Sequence, residues 1–253
     1  MLELPWPTLL AAGAIVALGY VVFGLTGFGA SIVALPLLVQ IFPLRFAVPM
    51  MLLFDLGAGL LLGLRNHRLL DRAELLCLLP FLLVGMAMGW TLLVRVDERW
   101  LLLGLGLFVT GYAAWSLASR VPTAPVSRRW AAPAGVVGGA FTALYGTGGP
   151  IYTIYLARRL PDAAVLRATV GVLIFCTAWL RLALFTGSGF YRQPGLLALA
   201  AALLPCAALG YWVGSRLHAR LPARRARQAI WLLLLVAGSS LVLRGCFQAR
   251  IDS

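Results

Sequence analysis

The sequence predicts an all-α protein that crosses a membrane several times. We expect this protein to consist of two inverted repeats of about five apolar segments each, with eight to ten membrane segments in total. Of its 253 residues, 62% are hydrophobic and only 11% are charged, whereas a soluble domain has about 25% charged residues. The mean hydropathy is +0.94. Apolar runs of membrane length alternate with short arginine-rich connections, so we expect an integral membrane protein.

The second half of the chain repeats landmarks of the first. A Leu-Pro pair at Leu79-Pro80 is followed by Gly85 and Gly89, and adding 125 to the proline and the two glycines gives Pro205, Gly210 and Gly214. The same offset relates Arg95 and Arg99 to Arg220 and Arg224. This register predicts a first membrane repeat at residues 1–118, a proline- and arginine-containing linker at 119–130 and a second repeat at 131–253.

The apolar runs of each half have corresponding lengths. They lie at 8–26, 30–42, 47–64, 74–94 and 100–118, and then at 131–145, 148–160, 165–186, 194–215 and 228–244. Crossing the hydrocarbon takes about 20 residues, so 30–42 and 148–160 are short. The stretch 8–42 would reach roughly 52 Å as one helix, so it must break and turn back. The first two apolar runs of each half therefore form either two full crossings or a re-entrant hairpin. Either arrangement returns the chain to the membrane face from which it entered.

A glycine-rich break therefore opens each repeat, at Gly24–Ser31 and at Tyr145–Pro150. Paired halves with corresponding Gly- or Pro-interrupted segments are typical of transporters that bind their substrate at the repeat interface.

The arginines predict the orientation in the membrane. If 65–72 faces the cytoplasm, five segments per repeat place 119–130, 157–167 and 216–227 on the same side, which then holds fourteen arginines against six opposite. The positive-inside rule favours this arrangement, with both termini outside. The net charge of +13 comes from arginine alone and is explained by these loops, so we expect no nucleic-acid partner.

With its paired glycine-rich breaks and its Leu-Pro register, the chain resembles the TauE/SafE family of sulfite exporters and related anion permeases over roughly residues 10 to 244. Phe28 and Ala30 depart from the run of glycines common in that family. The resemblance implies movement of sulfite, sulfonates such as sulfoacetate, or other small organic anions across the inner membrane.

The breaks carry chemistry that suits an anion. An interrupted helix leaves N–H groups without partners, and the next half-helix begins with partial positive charge. We expect these half-helices to begin near Ala30-Ser31 and Gly149-Pro150. The alternative is that the small residues only permit close helix packing. The candidate substrate-binding residues are Thr26, Gly27, Gly29, Ser31, Tyr145, Gly146, Thr147, Gly148, Gly149 and Pro150.

Two charged residues fall inside predicted spans. Asp55 lies near the middle of 47–64, where a lone carboxylate costs at least about 2.5 to 3.5 kcal/mol. It is a candidate for proton coupling, and a neutral hydrogen-bonded carboxyl is the alternative. Arg181 lies near the outer end of 165–186, and we expect it to snorkel to the interface. An ion pair between the two is a further option, because they lie in corresponding third segments.

The sequence thus predicts a secondary transporter that exports small anions by alternating access. An uptake permease or a lipid-phosphate translocase is the alternative, and an intramembrane enzyme is disfavoured because the spans lack a Ser-His, paired-Asp or HExxH arrangement. ATP hydrolysis would need another subunit, since the chain lacks GxxxxGK[ST]. We expect no cofactor and no metal; the partners are the lipid bilayer and the anion, and a homodimer is left open.

Overall fold

The computed structural model describes residues 5–26, 29–63, 69–118, 125–218, 232 and 234–242, and the regular structure within these ranges is helical. The predicted all-α class is confirmed. The helices are α1 (Trp6–Thr26), α2 (Ser31–Leu38), α3 (Leu44–Gly63), α4 (Arg72–Arg95), α5 (Glu98–Ala118), α6 (Ala131–Tyr145), α7 (Gly149–Ala157), α8 (Ala163–Gly187) and α9 (Leu196–His218), with 3₁₀ turns at Arg128–Trp130 and Phe190–Arg192. Residues 234–242 are also helical.

Several helices suit a bilayer. Within the described residues, five are long and apolar enough to cross a membrane, by length and composition: Trp6–Leu25, Arg72–Arg95, Glu98–Leu117, Ala163–Gly187 and Leu196–Leu217. On α4, large apolar side chains face outward, with Leu76 64% and Val84 55% exposed. Such a surface is stable against hydrocarbon rather than water.

The second helix of each predicted repeat is short. α2 has 8 residues and α7 has 9, so at 1.5 Å per residue they are about 12 and 14 Å long. The hydrocarbon core is about 30 Å thick. Neither helix is long enough to cross it, and both are therefore half-helices.

The chain divides into two compact units, and each takes helices from both halves of the sequence. Unit 1 comprises Met1–Met50, Val96–Arg120 and Gln193–Ser253, and unit 2 comprises Met51–Arg95 and Val121–Arg192. α3 contributes its first part to unit 1 and its second part to unit 2. The division of the sequence into repeats 1–118 and 131–253 stays a prediction.

In unit 2, α4 packs on α6 through backbone contacts at glycine. A Cβ atom on Gly85 would meet the Val136 carbonyl, and one on Gly89 would meet the Ala140 carbonyl. Glycine is required at these positions because the two helix backbones approach too closely for any side chain.

In unit 1, α1 packs on α9 in the same way. A Cβ atom on Gly210 would meet the Ala17 carbonyl, and one on Gly214 would meet the Val21 carbonyl. Ala17 and Val21 correspond to Val136 and Ala140 at an offset of 119, while the glycines correspond at 125. The same helix contact therefore occurs once in each unit, which agrees with a repeated sequence. The inversion of one repeat relative to the other stays a prediction.

Candidate functional site

The second break is a left-handed turn between α6 and α7. α6 ends at Tyr145, and Gly146 follows with a φ of 70°, a conformation that favours glycine. Its N–H donates to the Thr142 carbonyl at 2.9 Å, and the Thr147 N–H donates to the Phe141 carbonyl at 3.3 Å. These two bonds close α6, so the chain can begin a new helix at Gly149, as the sequence predicted.

The start of α7 has no side-chain cap. Its N-cap is Gly148, and Pro150 occupies the first turn, where its missing N–H costs nothing. Beside this end lies Thr147, which is 1% exposed. Its Oγ1 has no hydrogen-bond partner within the described part of the chain. A buried hydroxyl without a partner is costly. At the start of α7, Pro150 has no N–H, and the Ile151 and Tyr152 N–H groups donate to the Gly148 carbonyl, so the backbone donors left there are the N–H groups of Gly148 and Gly149.

The backbone of the break packs tightly on α6. A Cβ atom on Gly148 would meet the Thr142 Oγ1 and the Gly138 carbonyl. The Thr142 hydroxyl already donates to that carbonyl at 2.7 Å. The glycine at 148 thus has a packing role, which was the alternative reading of these small residues.

One turn into α7, Tyr152 connects the break to the two intramembrane charges. Its side chain is 2% exposed, is hydrogen-bonded to Thr142 and interacts electrostatically with Asp55 and Arg181. The Arg181 Nη1 and the Asp55 Oδ2 lie 3.9 Å apart, so the ion pair raised from the sequence is present.

The expected snorkelling of Arg181 is wrong. Its side chain is 4% exposed, and its guanidinium carbon lies 5.5 Å from the centre of the Phe185 ring. The guanidinium is held inside unit 2 because Asp55 and this ring provide electrostatic partners there.

The first break lies in unit 1. α1 ends at Thr26, and Gly27 and Phe28 lie outside the described residues. Gly29 has a φ of +104° with open space around its Cβ position. α2 begins at Ser31, where no side chain caps the helix, and Ser31 is 1% exposed. The half-helix starts where the sequence predicted.

Unit 2 therefore holds the second group of predicted site residues, from Tyr145 to Pro150, together with Asp55. Tyr145 is 3% exposed. Its ring packs in the interior, with its centre 5.6 Å from that of the Phe141 ring. The first group, from Thr26 to Ser31, belongs to unit 1.

Sequence reasoning missed a buried carboxylate at the start of α4. Glu74 is 3% exposed. Its Oε1 accepts from Arg128 Nε at 3.1 Å and from Arg159 Nε and Nη2 at 3.1 and 2.7 Å. Its Oε2 accepts from the Tyr155 hydroxyl at 2.9 Å. The bond to Glu74 raises the pKa of Arg159 above its ordinary value. We call these four residues the Glu74 cluster.

The Glu74 cluster ties together three parts of unit 2. Arg128 belongs to the end of the predicted linker and Tyr155 to the last turn of α7. Arg159 also donates to the Val126 carbonyl at 3.1 Å. A sequence signal marks Glu74 as part of a helix start but not as the centre of this cluster: Asp71 and Glu74 have the spacing of a capping box, and the Asp71 Oδ1 accepts from the Glu74 N–H at 2.9 Å.

Comparison with known proteins identifies the family. The model of the sulfite exporter TauE/SafE family matches residues 10–241. The chain belongs to this family. A relative described as "Probable inner membrane transporter protein TsaS" from Comamonas testosteroni is 31% identical over 194 residues, which cover 76% of this chain and 81% of the relative. No solved structure matches significantly.

The TauE/SafE match includes both glycine-rich breaks and the Glu74 cluster. The resemblance seen in the sequence is confirmed, and the chain is a multi-pass membrane transporter of the TauE/SafE family.

Proposed function

We propose that this protein is a secondary transporter of the inner membrane that exports small anions, with sulfite or a sulfonate as the leading class. The family description names a sulfite exporter, and the relative is described as an inner membrane transporter. The anion binds at the break before α7, and alternating access exposes it to one side of the membrane at a time.

The observation that carries this proposal is the buried Thr147 hydroxyl at the uncapped start of α7. Its Oγ1 has no partner in the described residues, and the helix that starts two residues later offers the N–H groups of Gly148 and Gly149 and partial positive charge. A small oxyanion accepts several hydrogen bonds from such a site. Tight packing alone accounts for Gly148 but gives no reason to bury an unpartnered hydroxyl.

Binding to purified protein tests the site. We expect Thr147→Val to weaken methanesulfonate binding by about 0.5 to 3 kcal/mol, because it removes one hydrogen bond to the anion. The matched control is Thr110→Val on α5, since Thr110 also has an Oγ1 without a partner in the described residues but packs against Gly238 rather than belonging to a break. Equal affinity in the wild type and Thr147→Val would contradict the site.

Flux into and out of proteoliposomes tests the substrate class. The panel is sulfite, sulfoacetate, methanesulfonate and phosphate, with a fluorescent phosphatidic acid for the alternative of a lipid-phosphate translocase. We expect the sulfur oxyanions to move and the lipid to stay in its leaflet. Movement of the lipid with no movement of the small anions would replace this function with the alternative.

A further inference from the structure

Arg181 is a permanent positive charge in the interior of unit 2. Its side chain is 4% exposed and that of Asp55 is 17% exposed. A guanidinium does not lose its proton in proteins, and a buried charge needs a partner of opposite sign. Asp55 supplies that negative charge in this structure.

The pair is loose. Its Nη1–Oδ2 distance of 3.9 Å is about 1 Å longer than a charge-assisted hydrogen bond between such groups. Guanidinium presents five N–H donors in a planar fork that matches the oxygens of an oxyanion. At 3.9 Å, Asp55 Oδ2 compensates the charge of Arg181 without a short hydrogen bond to its Nη1, so we expect an oxyanion to be able to take its place.

The pair is connected to the proposed site through α7. Tyr152 interacts electrostatically with Asp55 and with Arg181, and it is hydrogen-bonded to Thr142. A Cβ atom on Gly148 would meet the Thr142 Oγ1. The first turn of α7 thus has the break at its start and the ion pair beside its Tyr152.

We propose that Arg181 is the counter-ion of the transported anion and that Asp55 is its resident substitute, which takes up a proton when the anion binds. The inference rests on the proposed function and adds a substrate contact and a coupling rule to it. A monovalent anion beside ionised Asp55 and Arg181 would leave one uncompensated negative charge in the interior. Uptake of one proton from solvent by the Asp55 carboxylate restores neutrality, since like charges favour the protonated form.

Two tyrosines among the described residues interact with the pair. Tyr152 on α7 interacts with both members, and Tyr191 in the 3₁₀ turn after α8 interacts with Arg181. α4, which packs against α8, has no charged residue between Glu74 and Arg95. Asp55 carries the carboxylate of the pair and is the group we expect to exchange its proton.

Calorimetric binding of methanesulfonate tests the proposal, because this anion keeps one negative charge between about pH 5 and pH 9. For the wild type we expect affinity to fall about tenfold per pH unit above the pKa of Asp55, the slope for uptake of one proton. Asp55→Asn should bind with an affinity that no longer depends on pH. A pH-independent wild type that still binds the anion would overturn the inference.

A second set of binding measurements uses variants that remove the positive charge of Arg181. We expect Arg181→Gln to bind methanesulfonate about 10- to 150-fold more weakly, the range for losing hydrogen bonds to a charged group. The matched control is Arg167→Gln on the same helix, since Arg167 is exposed and donates to its own helix at the Ala163 carbonyl. The control should bind as the wild type does.

A charge-neutral double variant keeps the test valid if Arg181→Gln alone does not fold. Arg181→Gln alone leaves Asp55 without its positive partner, whereas Asp55→Asn/Arg181→Gln leaves no buried charge at this pair. We expect the double variant to fold and to bind methanesulfonate weakly at every pH. Wild-type affinity in this variant would overturn the inference.

The outcomes separate this inference from the proposed function. If Thr147→Val weakens binding and the Arg181 variants do not, the anion site stands and the counter-ion role falls. If the wild type binds and transports none of the anions in the panel, the proposed function falls, and the inference falls with it.

Discussion

The guanidinium of Arg159 donates two hydrogen bonds to one carboxylate oxygen of Glu74, from Nε at 3.1 Å and from Nη2 at 2.7 Å. Arg159 lies two residues after the end of α7, and Glu74 lies in the first turn of α4. This bond fixes the end of the half-helix whose other end forms the proposed anion site. The position of that site therefore depends on a carboxylate at the opposite end of α7.

We expect Glu74→Gln to destabilise the folded protein by about 1 to 3 kcal/mol. The amide keeps the size of the side chain but removes the charge that Arg128, Arg159 and Tyr155 share, and the penalty is that of lost hydrogen bonds to a charged group. Thermal unfolding in detergent measures it. A Glu74→Gln variant as stable as the wild type would show that the Glu74 cluster contributes little to the fold.

The two arginines of this cluster should differ in their effects. Arg159 is 25% exposed and Arg128 is 57% exposed, and exposed ion pairs contribute only about 0 to 1 kcal/mol. Arg159→Gln should therefore destabilise more than Arg128→Gln in the same unfolding assay. The reverse order would mean that the linker, rather than α7, depends most on Glu74.

Alanine at the helix-packing glycines should prevent folding. Gly85→Ala and Gly210→Ala would place a methyl group against a backbone carbonyl of the neighbouring helix, and the backbone cannot yield without separating the two helices. Yield of monodisperse protein is the measurement. Gly111→Ala and Gly171→Ala are matched controls, because a Cβ atom there meets nothing within 4 Å, and alanine favours a helix by about 1 kcal/mol over glycine.

The glycines of the two breaks should respond differently to alanine. From the sequence alone, bulky side chains at Gly29 and Gly148 would obstruct binding with little loss of folded protein. For Gly148 the structure supports a different prediction: a Cβ atom there would meet Thr142 and Gly138, so Gly148→Ala should lower the yield of folded protein.

Gly29→Ala should fold, with a strain of about 1 to 3 kcal/mol from its positive φ. Anion affinity of the folded Gly29→Ala variant tests whether the first break contributes to binding. If Gly148→Ala gives protein as stable as the wild type, the close packing of α6 and α7 is not needed for folding.

The arginine asymmetry predicts the topology. Reporter fusions after Arg68, Arg129 and Arg225 should report the cytoplasm, and fusions near Asp97 and Gly189 should report the outside. Arg68 and Arg225 lie outside the described residues, so the fusions give the membrane side of positions that the structure does not describe. Reporters at 68 and 225 on opposite faces would refute two inverted repeats of five segments.

Local sequence signals were sufficient for the helices and the breaks. Gly146 takes a positive φ, and α7 begins at Gly149 with Pro150 in its first turn, because these preferences depend only on the residue and its neighbours. The Asp55–Arg181 pair was foreseen as an option, since two charges in apolar spans need partners.

Contacts between residues that are distant in the chain could not be deduced from the sequence. Glu74 has the position of an ordinary helix-start acid, and its arginine partners are 54 and 85 residues away. The sequence left both ligand access and packing open for Gly148, because a sequence does not show which atoms lie opposite a missing side chain. The burial of Arg181 likewise depends on the fold around it.

The glycine contacts that join α1 to α9 and α4 to α6 have a consequence for synthesis. The α4–α6 pair can form once the chain has emerged to Tyr145, but α1 has its partner only after α9, which begins at Leu196. Until α9 has been synthesised, the face of α1 that contains Ala17 and Val21 lacks the helix against which it packs in the folded protein. Neither half of the gene product, made alone, would supply both members of either pair, whereas the two halves made together as separate polypeptides would.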